Sequence, residues 1–71
     1  MSPDDATRLV RMRAAARSGR ARELRETSGL TRREVAAVVG CSTAAVRSWE
    51  LGRRVPQGQP ALRYAELLDS L

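Results

Sequence analysis

Apolar residues recur along this chain at spacings of three and four, the period of helices, and no stretch reads as a strand. Leu9, Met12 and Ala16 form the apolar stripe of a first helix over residues 3–17. Ser2-Pro3-Asp4-Asp5 opens it with a capping hydroxyl, a proline at the first helical position and two acids against the positive end of the helix dipole. Arg13 and Arg17 fall beside Ala6 on the flank of that stripe, which predicts a helix that packs only partly. Ser18-Gly19 marks a break. A second helix from Arg20 to Ser28 carries Ala21, Leu24 and Arg25 on one side and ends at Gly29. Val35, Ala36 and Val39 are the inward set of a third helix, with small Ala36 where two helices cross closely and Val38 half buried. Val46, Trp49 and Glu50, at i, i+3 and i+4, face inward from a fourth. The Pro and Gly content of Arg53–Gln59 predicts a loop, after which Pro60 opens a last helix. Its Leu62, Ala65 and Leu68 close the core, while Tyr64, Leu67 and Leu71 form either the core's rim or a subunit contact.

The third and fourth helices carry the strongest local signals. Thr31 and Glu34 make a Thr-x-x-Glu capping box, with Leu30 and Val35 spaced as a hydrophobic staple. Gly40 stops that helix, Ser42 caps the next, Cys41 and Val46 repeat the staple spacing, and Gly52 closes it. Two capped helices joined by a Gly-containing turn of three residues follow the plan of a helix-turn-helix. With Val46, Trp49 and Glu50 inside, Thr43, Ala44, Arg47 and Ser48 project outward. That face has one arginine, two hydroxyls, a methyl and no carboxylate, a chemistry suited to base edges in a DNA major groove.

Charge sharpens the picture. The chain has 13 basic residues, all Arg, against 8 acidic ones, for a net charge of +5. This footprint suits nucleic acid, and by itself would also suit an anionic membrane or an acidic protein. At 71 residues the chain is one domain, and a chain this short buries only about 60% of the surface its unfolded form exposes. No apolar run reaches the roughly 20 residues of a membrane span, and no cleavable hydrophobic segment is present. With no His and a single Cys, the chain cannot build a zinc site or an internal disulfide, and Ser48 and Cys41 lack the usual activating base. No metal, cofactor or enzymatic activity is expected. Cys41, one residue before a helix cap, is read as a buried small apolar residue in a reducing cytoplasm. Few aromatics weigh against single-stranded RNA, whose bases are read by stacking.

Residues 18–71 resemble the Xre-like family of Cro and phage-repressor helix-turn-helix proteins. The likeness rests on Arg22-Glu23-Leu24-Arg25-Glu26, Gly29-Leu30-Thr31, Glu34-Val35-Ala36, Gly40-Cys41-Ser42, and Trp49-Glu50 followed by Gly52-Arg53-Arg54 and Pro56, in that order and spacing. It implies an all-α, lambda-repressor-like bundle of about five short helices; it does not reach residues 1–17, which the local helix start makes an N-terminal helical extension. It also implies a sequence-specific regulator of transcription on double-stranded DNA, a small cytoplasmic repressor of prokaryotic or phage origin that pairs as a homodimer on its site. Carried onto this chain, Thr43, Ala44, Arg47 and Ser48 contact bases; Arg32, Ser42, Arg53 and Arg54 contact the backbone; and Arg25 pairs with Glu50. Helical phase supports that pair independently, since both residues point inward and a buried glutamate needs a partner. Position 32 is often Gln in the family and is Arg here, which makes its contact electrostatic; position 51, often polar, is Leu, and its contact is lost. Without Asn or Gln, the fourth helix offers no bidentate adenine contact. An alternative of a different class is the antitoxin of a toxin–antitoxin pair, binding its protein partner through residues 1–17.

Overall fold

The computed structural model describes residues 2–71, which form five helices in the order α1 (Pro3–Ser18), α2 (Arg20–Thr27), α3 (Arg32–Val39), α4 (Thr43–Glu50) and α5 (Gly58–Ser70). Among the described residues there is no strand. Local chemistry starts and stops these helices. The Ser2 hydroxyl accepts from the Asp5 N–H while the Asp5 carboxylate accepts from the Ser2 N–H, a reciprocal cap on α1. Thr31 and Glu34 do the same for α3, at 3.0 and 2.9 Å. Hydrogen bonding from Thr31, its backbone N–H foremost, holds the exposed Glu34 carboxyl below its ordinary range.

The end of α4 sets the course of the loop after it. Gly52, with φ +72°, lets its own N–H reach Trp49 O and the Arg53 N–H reach Ser48 O at 2.9 Å, the paired bonds of a Schellman cap. The chain therefore leaves α4 folded back against its last turn.

One core joins all five helices. Leu9, Met12 and Ala16 of α1 meet Ala21 of α2, Val35, Ala36 and Val39 of α3, Val46 and Trp49 of α4, and Ala61, Tyr64, Ala65 and Leu68 of α5. The apolar stripe of α1 is thus spent inside the chain, and Arg8 adds an exposed ion pair to Asp69 of α5 at 3.6 Å. Leu9 and Met12 are buried there, at 5% and 3% exposure, and present no surface to a second subunit.

Three details of the expected packing change. Helix α5 begins at Gly58, two residues before Pro60, because the first four N–H groups of a helix have no internal acceptor and proline is tolerated at its third position. Its inner face is Ala61, Tyr64, Ala65 and Leu68, an i, i+3, i+4, i+7 set, and Leu62 is only half buried. Tyr64 is core rather than rim: it is 1% exposed, with its ring centroid 4.9 Å from that of Trp49. Val38, expected half buried, is 61% exposed, since Val35, Ala36 and Val39 already fill the inner face of α3.

Burial, helped by the Glu50 charge, pushes the Tyr64 phenol up to about 12. A free tyrosine ionises near pH 10. Above that pH the unfolded chain releases a proton the folded chain keeps, so stability should fall as the pH rises beyond about 10. Tyr64 is the only tyrosine and there is no Lys, so phenolate absorbance reads this group alone. Its midpoint should lie well above the free-tyrosine value; a midpoint near 10 in folded protein contradicts the burial.

Candidate nucleic-acid interface

Helices α3 and α4 are joined by Gly40, Cys41 and Ser42. Gly40 has φ +83°, and its N–H and that of Cys41 both donate to Ala36 O, at 2.8 and 3.1 Å. A Cβ there would meet only the flexible end of Arg63 of α5, Nη1 at 2.8 Å, so it is the conformation that favours glycine. Cys41 is half buried, and burial pushes its thiol above the ordinary range, which makes it a poor nucleophile at neutral pH. The Ser42 hydroxyl accepts from the Ala45 N–H at 3.0 Å. Its own O–H remains a donor at the exposed start of α4.

The structure sorts α4 into two faces. Val46, Trp49 and Glu50 are buried, whereas Thr43, Ala44 and Arg47 are exposed and Ser48 is half buried. The Ser48 carbonyl accepts from the N–H groups of Arg53 and Arg54, which draws both arginines against the C-terminal end of α4. Their side chains are exposed. Among the described residues no carboxylate lies within ion-pair distance of Arg47, Arg53 or Arg54.

Beneath this surface Glu50 gathers two cations. Arg25 Nε and Nη2 donate to its Oε2 and Oε1 at 2.6 and 3.1 Å, and Arg32 Nε donates to Oε1 at 3.0 Å. The Arg25 Nη1 donates to Leu30 O at 3.0 Å, so one guanidinium ties α2 to both the start of α3 and the end of α4. Burial alone would raise the Glu50 pKa, but hydrogen bonds from Arg25 and Arg32, then their charges, overcome it and hold the carboxyl below its ordinary range. The hydrogen bond to Glu50 outweighs desolvation at Arg25, whose pKa is raised further.

The contact between Arg32 and Glu50 leaves no trace in the sequence pattern. The two residues lie 18 apart on different helices, and no local pattern joins them. The Arg32 side chain stays 31% exposed while its Nε is anchored. Arg63 over the turn and Arg13, which donates to Pro56 O at 3.3 and 3.4 Å, also had no local signal in the sequence.

A family model of the helix-turn-helix domain matches residues 16–70. The chain belongs to that family. It is one of the Xre/Cro-type helix-turn-helix superfamily, whose members bind DNA and regulate transcription. No curated protein and no solved structure matches the chain significantly. Within this helix-turn-helix domain no group of three metal-ligating side chains occurs among the described residues, and no helix there is long and apolar enough to cross a membrane.

Arg32 should show two effects on substitution. Arg32→Ala removes a charge-assisted hydrogen bond, costing about 1.5 kcal/mol at the lower end of the usual range because the side chain is partly solvated. It also removes a cation beside the motif, so affinity for all duplexes should fall alike and the salt slope should drop by about one. Urea melts and a salt series check the two separately. A variant with parental stability and parental slope contradicts both roles.

Proposed function

We propose that this domain is a sequence-specific repressor that lays α4 in the major groove of double-stranded DNA and binds as a homodimer. The observation that carries this reading is the outer face of α4, where Thr43, Ala44 and Arg47 stand exposed without a carboxylate beside them. Arg47 is the group for guanine O6 and N7, and the Ala44 methyl suits thymine. Ser48 has a smaller part, because it is half buried. Ser42 at the cap, Arg32 on α3, and Arg53 and Arg54 after α4 supply backbone contacts on either side.

Size supports pairing of subunits. One copy measures 30 Å along its longest axis, whereas half-sites on one face of a duplex lie about 34–36 Å apart. Leu67 of α5 and Leu71 at its C-cap, both only partly buried, are the subunit contact in this reading.

Selection of bound sequences from random duplexes tests the proposal. It should return a two-fold symmetric site with a guanine in each half, bound by two chains. Recovery of unselected sequence, or one chain per duplex at saturation, contradicts sequence-specific binding or pairing respectively.

A further inference from the structure

Helix α1 presses its apolar stripe into the core, and the flank of that stripe carries Arg13 and Arg17, neither within ion-pair distance of a carboxylate among the described residues. Both meet the loop after α4. A crevice of about 120 Å³ between α1 and that loop is lined by Arg13, Ala16 and Arg17 of α1 with Trp49, Gly52, Arg54 and Val55. Three arginines line this small space and no carboxylate does. Arg54, too, has no carboxylate within ion-pair distance among the described residues.

We infer that this crevice is a phosphate site, in which Arg17 and Arg54 hold a backbone phosphate bordering the groove entered by α4, so that α1 is part of the DNA-binding surface. The inference rests on the DNA-binding reading above and extends it to an element lying almost wholly outside the matched residues 16–70. Cations that line one crevice repel, and an anion between them relieves that repulsion. Forked guanidiniums are suited to phosphate oxygens. The buried Trp49 and Ala16 in the lining strengthen the attraction by excluding water from one side.

Arg13 is a positioning residue here. By donating to Pro56 O through Nε and Nη2 it straps the loop to α1, two residues past Arg54. From the other end the Arg54 N–H reaches Ser48 O at 3.4 Å, next to the outer face of α4. An acidic protein segment has the same charge but would have no reason to sit beside that face. The adjacency favours DNA.

The test uses the full chain, its selected duplex and a scrambled duplex across a salt series. Arg17 is exposed in the last turn of α1, so Arg17→Ala should keep the parental circular dichroism. It should lower the salt slope by about one on both duplexes and leave their affinity ratio unchanged, and Arg17→Lys should restore the slope. Parental slopes for Arg17→Ala overturn the inference. So does a poly-glutamate peptide that quenches Trp49 in the parent but not in Arg17→Ala, with both slopes unchanged, which assigns the crevice to an acidic partner. If Arg17→Ala lowers the slope while the parent fails to distinguish the two duplexes, the phosphate site stands and base reading falls. If the parent binds neither duplex, both fall.

Discussion

Glu50→Gln should destabilise the domain by roughly 3–5 kcal/mol, enough to leave much of it unfolded at room temperature. The Glu50 side chain is 1% exposed and that of Arg25 11%, so neither charge can turn to water when the other is neutralised. Gln keeps the shape but offers one acceptor oxygen to the three nitrogens that now approach the carboxylate. The loss is large because α2, α3 and α4 all meet at this carboxylate. Urea denaturation of parent and variant measures it, and a variant that unfolds at the parental midpoint would show that the network contributes nothing net.

Acid should undo the same network. The folded pKa of Glu50 lies below its unfolded value. Its stabilisation is therefore complete above the ordinary carboxylate range and drains away as the pH falls through the folded value. From there up to the ordinary thiol range, where the raised pKa of Cys41 begins to cost stability, no His is present to titrate, so stability should form a broad plateau around neutrality.

What was legible in the sequence was local or periodic. Thr31 and Glu34, or Ser2 and Asp5, are three residues apart, and their caps depend on nothing distant. Val46, Trp49 and Glu50 had to share a face by helical phase, which also leaves Thr43, Ala44 and Arg47 outside. The inner face of α5 was harder. Leu62, Ala65 and Leu68 are the more apolar set beside Ala61 and Tyr64, but the Tyr64 ring has Trp49 to pack against, a partner set by tertiary structure. Arg13 on Pro56, 43 residues away, and Arg32 on Glu50 belong to the same class. Among 13 chemically identical arginines, only the fold separates those spent on carboxylates or carbonyls from those left facing outward.

Arg47 is one of the latter, and its removal should have the second large effect. Arg47→Ala leaves the core untouched, since the side chain is exposed and pairs with no carboxylate among the described residues. On the cognate duplex it should cost about 1–3 kcal/mol, the value of one bidentate contact to guanine, and relax preference at a single base pair. Arg32 is a cation on the same surface with its Nε bound to Glu50. Its loss should leave the order of preferred sequences unchanged, because phosphate contacts carry no sequence information.

The most direct measurement of the central claim is therefore the ratio of affinities for cognate and scrambled duplexes, in parent and Arg47→Ala, at one fixed salt concentration. The account predicts a high ratio in the parent that collapses by roughly ten- to a hundred-fold in the variant, almost entirely through the cognate duplex. Equal weakening on both duplexes would make Arg47 another phosphate anchor and contradict the claim that α4 reads bases through it.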